Sequence, residues 1–213
     1  LMIDNYLWGK CERISPEAPV QVIKIDSENS VLGGAGNVIN NLKSLGASVD
    51  VISVIGGCAI SDELKNLLNS IEVDSKFLIT QHDRTTSKKT RIIAAQQQVA
   101  RYDRESVDEI NTTSQRLIID IFKKIISKYD AVLLSDYGKG VLTSNLTQSV
   151  IKIANKVGKK VIVDPKGKDY SKYKDAYLLT PNLKEASQAT KIVINNDKDL
   201  NKAIIKLKSE LNL

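Results

Sequence analysis

The stretch AVLLSDYGKGVLTSNLTQSVIKIANKVGKKVIVDPKG, residues 131–167, decides the fold class. AVLLS is a short apolar run that reads as a strand, and it stops at Asp136, Gly138 and Gly140. From Thr143 to Val157 the apolar residues recur at helical spacing, and Gly158 closes that segment. KVIV is a second strand, ending in Asp164, Pro165, Lys166 and Gly167. A strand, a helix and another strand in succession make a βαβ unit, whose two strands lie parallel.

The alternation continues on both sides. Downstream come the strand AYLLT, a helix opening at Asn182, and a last helix with Leu200, Ile204, Leu207 and Leu211 on its apolar face. Upstream come a helix over Ser114 to Tyr129 and another capped by Ser61, with Leu64, Leu67, Leu68 and Ile71 facing inward. Further upstream lie the strand VDVISVI and the helix GNVINNLKSLG, in which Val38, Leu42 and Leu45 are spaced i, i+4, i+7 and Gly46 is the stop. The expected fold is α/β: a doubly wound, mainly parallel sheet with helices on both faces. Ligands of such sheets bind beyond the carboxyl ends of the strands, so the residues just after each strand are the ones to inspect.

Two segments break the pattern. APVQVIKID and KKTRIIAAQQQVARYD read as extended chain without intervening helices. They pair either as a small antiparallel β lid over the strand ends, spanning about 8–26 and 85–103, or as an edge hairpin with exposed polar residues. The run Gln96, Gln97, Gln98 between apolar residues favours the lid.

Composition bounds the function. The chain has 213 residues with 31 Lys+Arg against 25 Asp+Glu, 42% hydrophobic and 26% charged residues, which is ordinary globular composition. No apolar run reaches the length of a membrane helix, and no signal-peptide pattern opens the chain. LMIDNYLWGK begins in apolar sequence without an initiator Met, so the true start is expected to lie upstream. Cys11 and Cys58 are isolated, as free thiols in a reducing cytoplasm are, and one histidine, His82, argues against a His-based zinc site or catalytic triad. With 5% aromatic residues and dispersed lysines, the net charge of +6 fits an anionic small molecule better than nucleic acid.

Glycines cluster at Gly33, Gly34 and Gly36, followed by Asn37 and a helix. Exposed amides at a helix start favour hydroxyl or anionic groups, though a tight turn with Asn37 as cap reads equally well. Ile39 occupies the place of the third glycine in a dinucleotide fingerprint, and no Walker-type loop occurs. Polar groups stand at three successive strand ends: Asp136, Asp164 with Lys166, and Asn182 with Glu185. Asn182 and Glu185 share a helix face and suit a hydrated Mg²⁺ and a phosphate, or else form a capping box.

Together these strings resemble the PfkB/ribokinase family of sugar kinases. GGAGNVINNLKSLGA is similar to its first signature and LLTPNLKEA to its Asn-x-x-Glu element. RISPEAPV, KTRIIAAQQQVARYDRE, LLSDYGKGVL and VDPKG resemble its heptose 7-phosphate kinase branch, and the likeness spans essentially the whole chain. The resemblance implies a ribokinase-like fold and ATP-dependent phosphorylation of the anomeric hydroxyl of D-glycero-β-D-manno-heptose 7-phosphate, giving the 1,7-bisphosphate for lipopolysaccharide core precursors. It implies Asp4, Gly33, Gly34, Asn37, Lys89, Arg91, Gln98, Asp136 and Lys139 at the sugar phosphate. It implies Asp164, Lys166, Asn182, Leu183, Lys184 and Glu185 at ATP, with Glu185 nearest Mg²⁺.

Two departures accompany it. Gly56, Gly57 and Cys58 stand where relatives carry an acidic pair, and the Gly-Ala-Gly-Asp segment that supplies the catalytic base occurs nowhere in the chain. The expectation is a kinase domain cut at both ends, inactive alone, homodimeric through the lid, with a nucleotidyltransferase domain following in the whole protein. The rivals are a ribokinase- or fructokinase-type enzyme and a non-catalytic sugar-phosphate sensor on the same fold.

Overall fold

The computed structural model describes residues 1–213, which divide into two compact units, Leu1–Ser106 and Val107–Leu213. In the first unit β1 (Met2–Ile14) and β2 (Gln21–Gly33) form a long antiparallel hairpin. Helix α1 (Ala35–Ser44), β3 (Ser53–Ile55), helix α2 (Ala59–Ser70) and β4 (Leu78–Thr80) follow, then a second hairpin of β5 (Ser87–Ala94) and β6 (Gln97–Arg104). Four strands make one sheet in the order β2-β1-β5-β6, and β3 pairs with β4 in parallel.

The expected antiparallel lid is corrected by this pairing. The first segment is the outer part of the β1–β2 hairpin and the second is the β5–β6 hairpin; each is antiparallel within itself, but the two join through the parallel pair β1 and β5. Register shifts between Trp8 and Gly9, Cys11 and Arg13, and Ile92 and Ile93 bend the strands, as an unpaired residue on one side of a ladder does. The β5–β6 turn lies at Ala95 and Gln96, both at positive φ (49° and 62°), a two-residue turn that the sequence hides because neither residue is Gly, Asn or Asp.

Alternation along β1 separates two faces. Ile3 and Leu32 face a core with Ile39, Ile55, Leu64, Leu68 and Val73. Leu64 and Leu68 are fully buried, each removing about 2 kcal/mol worth of apolar surface from water. On the same side Lys88 Nζ meets Glu63 of α2 at 2.8 Å. Helix α1 turns Gly36 and Ile39 inward, whereas Leu45, expected on that face, is its C-cap and 84% exposed. Helix α2 starts at Ala59 with Cys58 at the cap position, three residues before the expected cap Ser61. The Ser61 hydroxyl is instead buried and donates to the Gly56 carbonyl at 2.6 Å.

The second unit opens with helix α3 (Thr112–Ile125), capped by Asn111, whose side chain accepts from Ser114 N–H at 2.8 Å. Then come β7 (Ala131–Ser135), helix α4 (Ser144–Lys156), β8 (Lys160–Asp164) and β9 (Leu178–Leu179), a parallel sheet in the order β7-β8-β9. Thr143 caps α4 and Gly158 ends it at φ 71°, as expected. Leu134, Val161 and Val163 are buried from the sheet, and Leu146, Val150, Ile151 and Ala154 from α4. Helices α5 (Leu183–Thr190) and α6 (Asp197–Leu211) complete the unit. Ala203, Leu207 and Leu211 are the buried stripe of α6, so Ala203 replaces the expected Ile204, which is 44% exposed. No helix is long and apolar enough to cross a membrane.

Candidate functional site

In the first unit, register brings the expected sugar-facing residues together. Asp4 lies opposite Lys89, Tyr6 opposite Arg91, and Trp8 opposite Ile93, so Asp4, Lys89 and Arg91 share the sheet face turned away from the core. On β6 that face continues through Asp103, Arg101 and Gln98, which oppose Lys89, Arg91 and Ile93. Arg91 Nη1 donates to Asp4 Oδ1 at 2.6 Å while its guanidinium lies 5.3 Å from the Tyr6 ring centroid. The hydrogen bond to Asp4 holds the Arg91 proton more tightly than usual. Lys89 and Arg101 flank Asp103 at 3.8 and 3.0 Å. Tyr6 and Trp8 stack at 6.4 Å with a 21° interplanar angle. Tyr6 escaped the reading of the sequence, although period-two spacing from Asp4 marks it; Arg101 and Asp103 stand out as polar residues of the second extended segment, but only the β5–β6 register puts them on this face.

Gly33 ends β2 beside this row. A methyl group there would lie inside the Asp4 carboxylate, so the missing side chain is what admits Asp4. Gly34 is the N-cap of α1 at φ 53° and offers no capping side chain, which leaves the first amides of the helix uncapped by side chains. Asn37 does not cap the helix; its side chain is exposed in the first turn and its N–H bonds to the Gly34 carbonyl at 3.0 Å.

In the second unit the three strand ends place Asp136, Asp164 with Lys166, and Asn182 with Glu185. Asp136 is 6% exposed and well occupied: Oδ1 accepts from Gly138 N–H at 2.7 Å, and Oδ2 accepts from Lys172 Nζ at 2.6 Å and the Tyr173 hydroxyl at 2.7 Å. Lys139 lies between Gly138 and Gly140, both at positive φ, in the loop that follows. Lys172 and Tyr173 belong to a single 3-10 turn, Ser171–Tyr173, and no motif in the sequence announces them.

Asn182 and Glu185 form the capping box. Asn182 Oδ1 accepts from Glu185 N–H at 2.9 Å, and Glu185 Oε2 accepts from Asn182 N–H at 3.1 Å. The other oxygen, Oε1, accepts from Lys166 Nζ at 2.9 Å. Burial opposes the Glu185 charge, but the bonds from Lys166 and Asn182 outweigh it and hold the carboxyl below its ordinary range. Asp164 shifts the other way, because burial and the Glu185 charge penalise its ionised form. Tyr170 is pushed up to about 12 by burial and by the Glu185 and Asp164 charges. Leu183 and Lys184 are exposed in the first turn of α5, at the helix's positive end.

The donor set does not form a protein cage for a metal, since no group of three His, Cys, Asp or Glu converges. It does suit Mg²⁺, which keeps most of its waters and takes one or two carboxylates beside a substrate's phosphates. Asp164 and Glu185 are carboxylates of that kind.

The pfkB family carbohydrate kinase profile matches residues 1–212. The chain belongs to the pfkB family of carbohydrate kinases. Among proteins in this family, it is 60% identical over all 213 residues to the bifunctional protein HldE of Aliarcobacter butzleri and 57% to that of Sulfurimonas denitrificans. It spans 45% of the length of each, under half of these curated relatives. The pfkB fold recurs in solved structures at low identity. Phosphofructokinase-2 of Escherichia coli, in its tetrameric inhibited form, superposes with a TM-score of 0.72 at 20% identity, covering 99% of this chain and 67% of the other. Arabidopsis thaliana ribokinase, complexed with ribose and ATP, gives 0.69 at 15% identity, covering 98% and 66%.

Proposed function

We propose that the whole protein transfers a phosphoryl group from ATP to the anomeric hydroxyl of D-glycero-β-D-manno-heptose 7-phosphate, for ADP-heptose and lipopolysaccharide core biosynthesis. The observation that carries this reading is the row on the first unit's free sheet face, where Asp4 stands between Gly33 and the cations Arg91 and Lys89. A carboxylate accepts sugar hydroxyls, and guanidinium and ammonium groups take a phosphate, so the row suits a sugar that is already phosphorylated. Gly33, Gly34, Asn37 and Gln98 complete this set; Asp136 and Lys139, which the resemblance also assigns to the sugar, lie in the second unit, where the Asp136 carboxylate is taken up by Gly138, Lys172 and Tyr173. The choice of heptose rests on the resemblance of RISPEAPV and KTRIIAAQQQVARYDRE to that branch of the family.

Asp164, Lys166 and residues 182–185 serve the nucleotide in this reading. Lys166, now paired with Glu185, would meet a phosphate oxygen, and Asp164 or Glu185 would hold a hydrated Mg²⁺. The ion would supply charge neutralisation on the phosphates, and the chain's own part is to position and to stabilise charge. A homodimer through the two hairpins belongs to the same proposal, because β2 and β6 are sheet edges with unpaired backbone and exposed Ile25, Val99 and Tyr102. Two free cysteines suit a cytoplasmic setting, and the relatives' length and bifunctional name support a following nucleotidyltransferase domain.

The test is a panel of acceptors for the full-length protein, with ADP release as readout. Heptose 7-phosphate is expected to exceed ribose, fructose and fructose 6-phosphate in kcat/KM by about 100-fold or more, since a site whose buried polar groups go unpaired with the wrong substrate can discriminate by up to about 10⁴–10⁵-fold. Preference for an unphosphorylated pentose or hexose overturns the proposal.

A further inference from the structure

The chain uses Tyr173 in a way no strand-end motif requires. Its ring is 0% exposed, and its hydroxyl donates to Asp136 Oδ2 at 2.7 Å while accepting from Lys166 N–H at 3.1 Å. One oxygen atom thus bridges the loop after β7 and the loop after β8. Lys172, next in the same turn, donates to Asp136 Oδ2 at 2.6 Å and to the Leu142 carbonyl at 3.1 Å, which fastens both ends of the first loop. Tyr170 stacks edge-on against Tyr173 at 5.6 Å and fixes the ring from the side.

We infer that Tyr173 and Lys172 are positioning residues that act through Asp136, locking the loops after β7 and β8 so that Lys166 is held ready for the nucleotide phosphates. The inference rests on the proposed phosphate-facing role of Lys166 and assigns Asp136 a tethering task. Three features support positioning over simple core filling. Tyr173 spends its donor and acceptor on two different strand-end loops. Lys172 brings a charge to a carboxylate with 4% side-chain exposure, a costly arrangement for filling space. The tethered backbone amide is that of Lys166 itself, so its side chain starts from a fixed point, and catalysis by placement is sensitive to shifts of an ångström.

The experiment uses the full-length protein and measures KM for ATP, KM for heptose 7-phosphate, kcat and Tm. Tyr173→Phe removes only the hydroxyl. It is expected to raise KM for ATP or lower kcat about tenfold at temperatures well below its Tm, with KM for the sugar phosphate unchanged. Lys172→Met is expected to do the same, Lys172→Arg to retain wild-type kinetics, and the double variant Tyr173→Phe/Lys172→Met to be no worse than the poorer single one, since both work through one carboxylate. Wild-type kinetics in Tyr173→Phe and Lys172→Met with only a lowered Tm overturns the inference, as does a rise confined to KM for the sugar phosphate. Should Tyr173→Phe fail to fold, the Lys172 pair decides alone. A wild-type protein without activity on any sugar phosphate sinks the proposed function instead, a separate outcome.

Discussion

Arg91 Nη1 donates to Asp4 Oδ1 at 2.6 Å across two parallel strands, from a register position two residues beyond the one directly opposite. Asp4 stands opposite Lys89 in register but pairs with the diagonal Arg91, while Lys89 turns to Asp103 at 3.8 Å. The pair is about one-fifth exposed on each side, dry enough to be strong and open enough to meet a ligand.

Arg91→Ala in the full-length protein should therefore reduce kcat/KM for the sugar phosphate by roughly 10- to 100-fold, the equivalent of about 1.5–3 kcal/mol for a hydrogen bond to a charged group. KM for ATP should stay within twofold. Arg91→Lys should recover little, because a point charge does not replace a planar fork. Steady-state kinetics with each substrate varied in turn provides the check, and equal loss toward ATP would contradict it.

Gly33→Ala tests the neighbouring wall. The added methyl occupies the space of the Asp4 carboxylate and must displace it or the strand end. A loss of kcat/KM toward the sugar phosphate of roughly 10- to 100-fold is expected, the upper figure being about what an ångström of misplacement costs. Unchanged kinetics in a folded variant would show that Asp4 is not held where Gly33 requires.

Glu63 gives the first unit an acid-sensitive contact. Burial opposes its charge, but hydrogen bonds from Lys88 and Ser30 together with the Lys88 charge prevail, so its carboxyl lies below the ordinary range. A carboxyl depressed in the folded state stabilises above its unfolded value, and that stability is lost as pH falls through the folded value. Lys88→Met should lower Tm by about 2 °C at pH 7, corresponding to about 0.5–1 kcal/mol for a pair whose glutamate is 33% exposed. The gap between variant and wild type should close as pH falls through the depressed folded value of Glu63, and a gap that persists once the carboxyl is protonated would refute the assignment.

The turn at Ala95 and Gln96 is left-handed at both positions without a residue that favours it. Ala95→Asn with Gln96→Gly should stabilise the fold by up to about 1 kcal/mol of relieved strain per position and so raise Tm. Thermal denaturation measures it, and a fall in Tm would mean that the side chains at the tip contribute more than the backbone loses.

Much of this architecture was legible in the chain. Thr143 and Gly158 bracket α4 because a hydroxyl cap and a left-handed glycine act locally, within a turn of the helix they bound. Asn182 and Glu185 were legible to the same depth: the spacing allowed a ligand pair or a capping box, and the box is formed, with Glu185 still able to accept from Lys166. Ala203 on the buried stripe of α6 was missed because apolar character alone favoured Ile204, and only packing decides which of two adjacent residues turns inward.

The sequence by itself determined the succession of strands and helices, the glycine cluster, the polar strand ends and the family, since these depend on side-chain periodicity and on local backbone chemistry. Tertiary structure alone decided which distant residues meet. Parallel pairing of β1 with β5 set Arg91 against Asp4, 87 positions apart, and the turn at Tyr173 reached 37 positions back to Asp136. Register and long-range hydrogen bonds arise from the joint packing of whole elements, and no short window of sequence contains them.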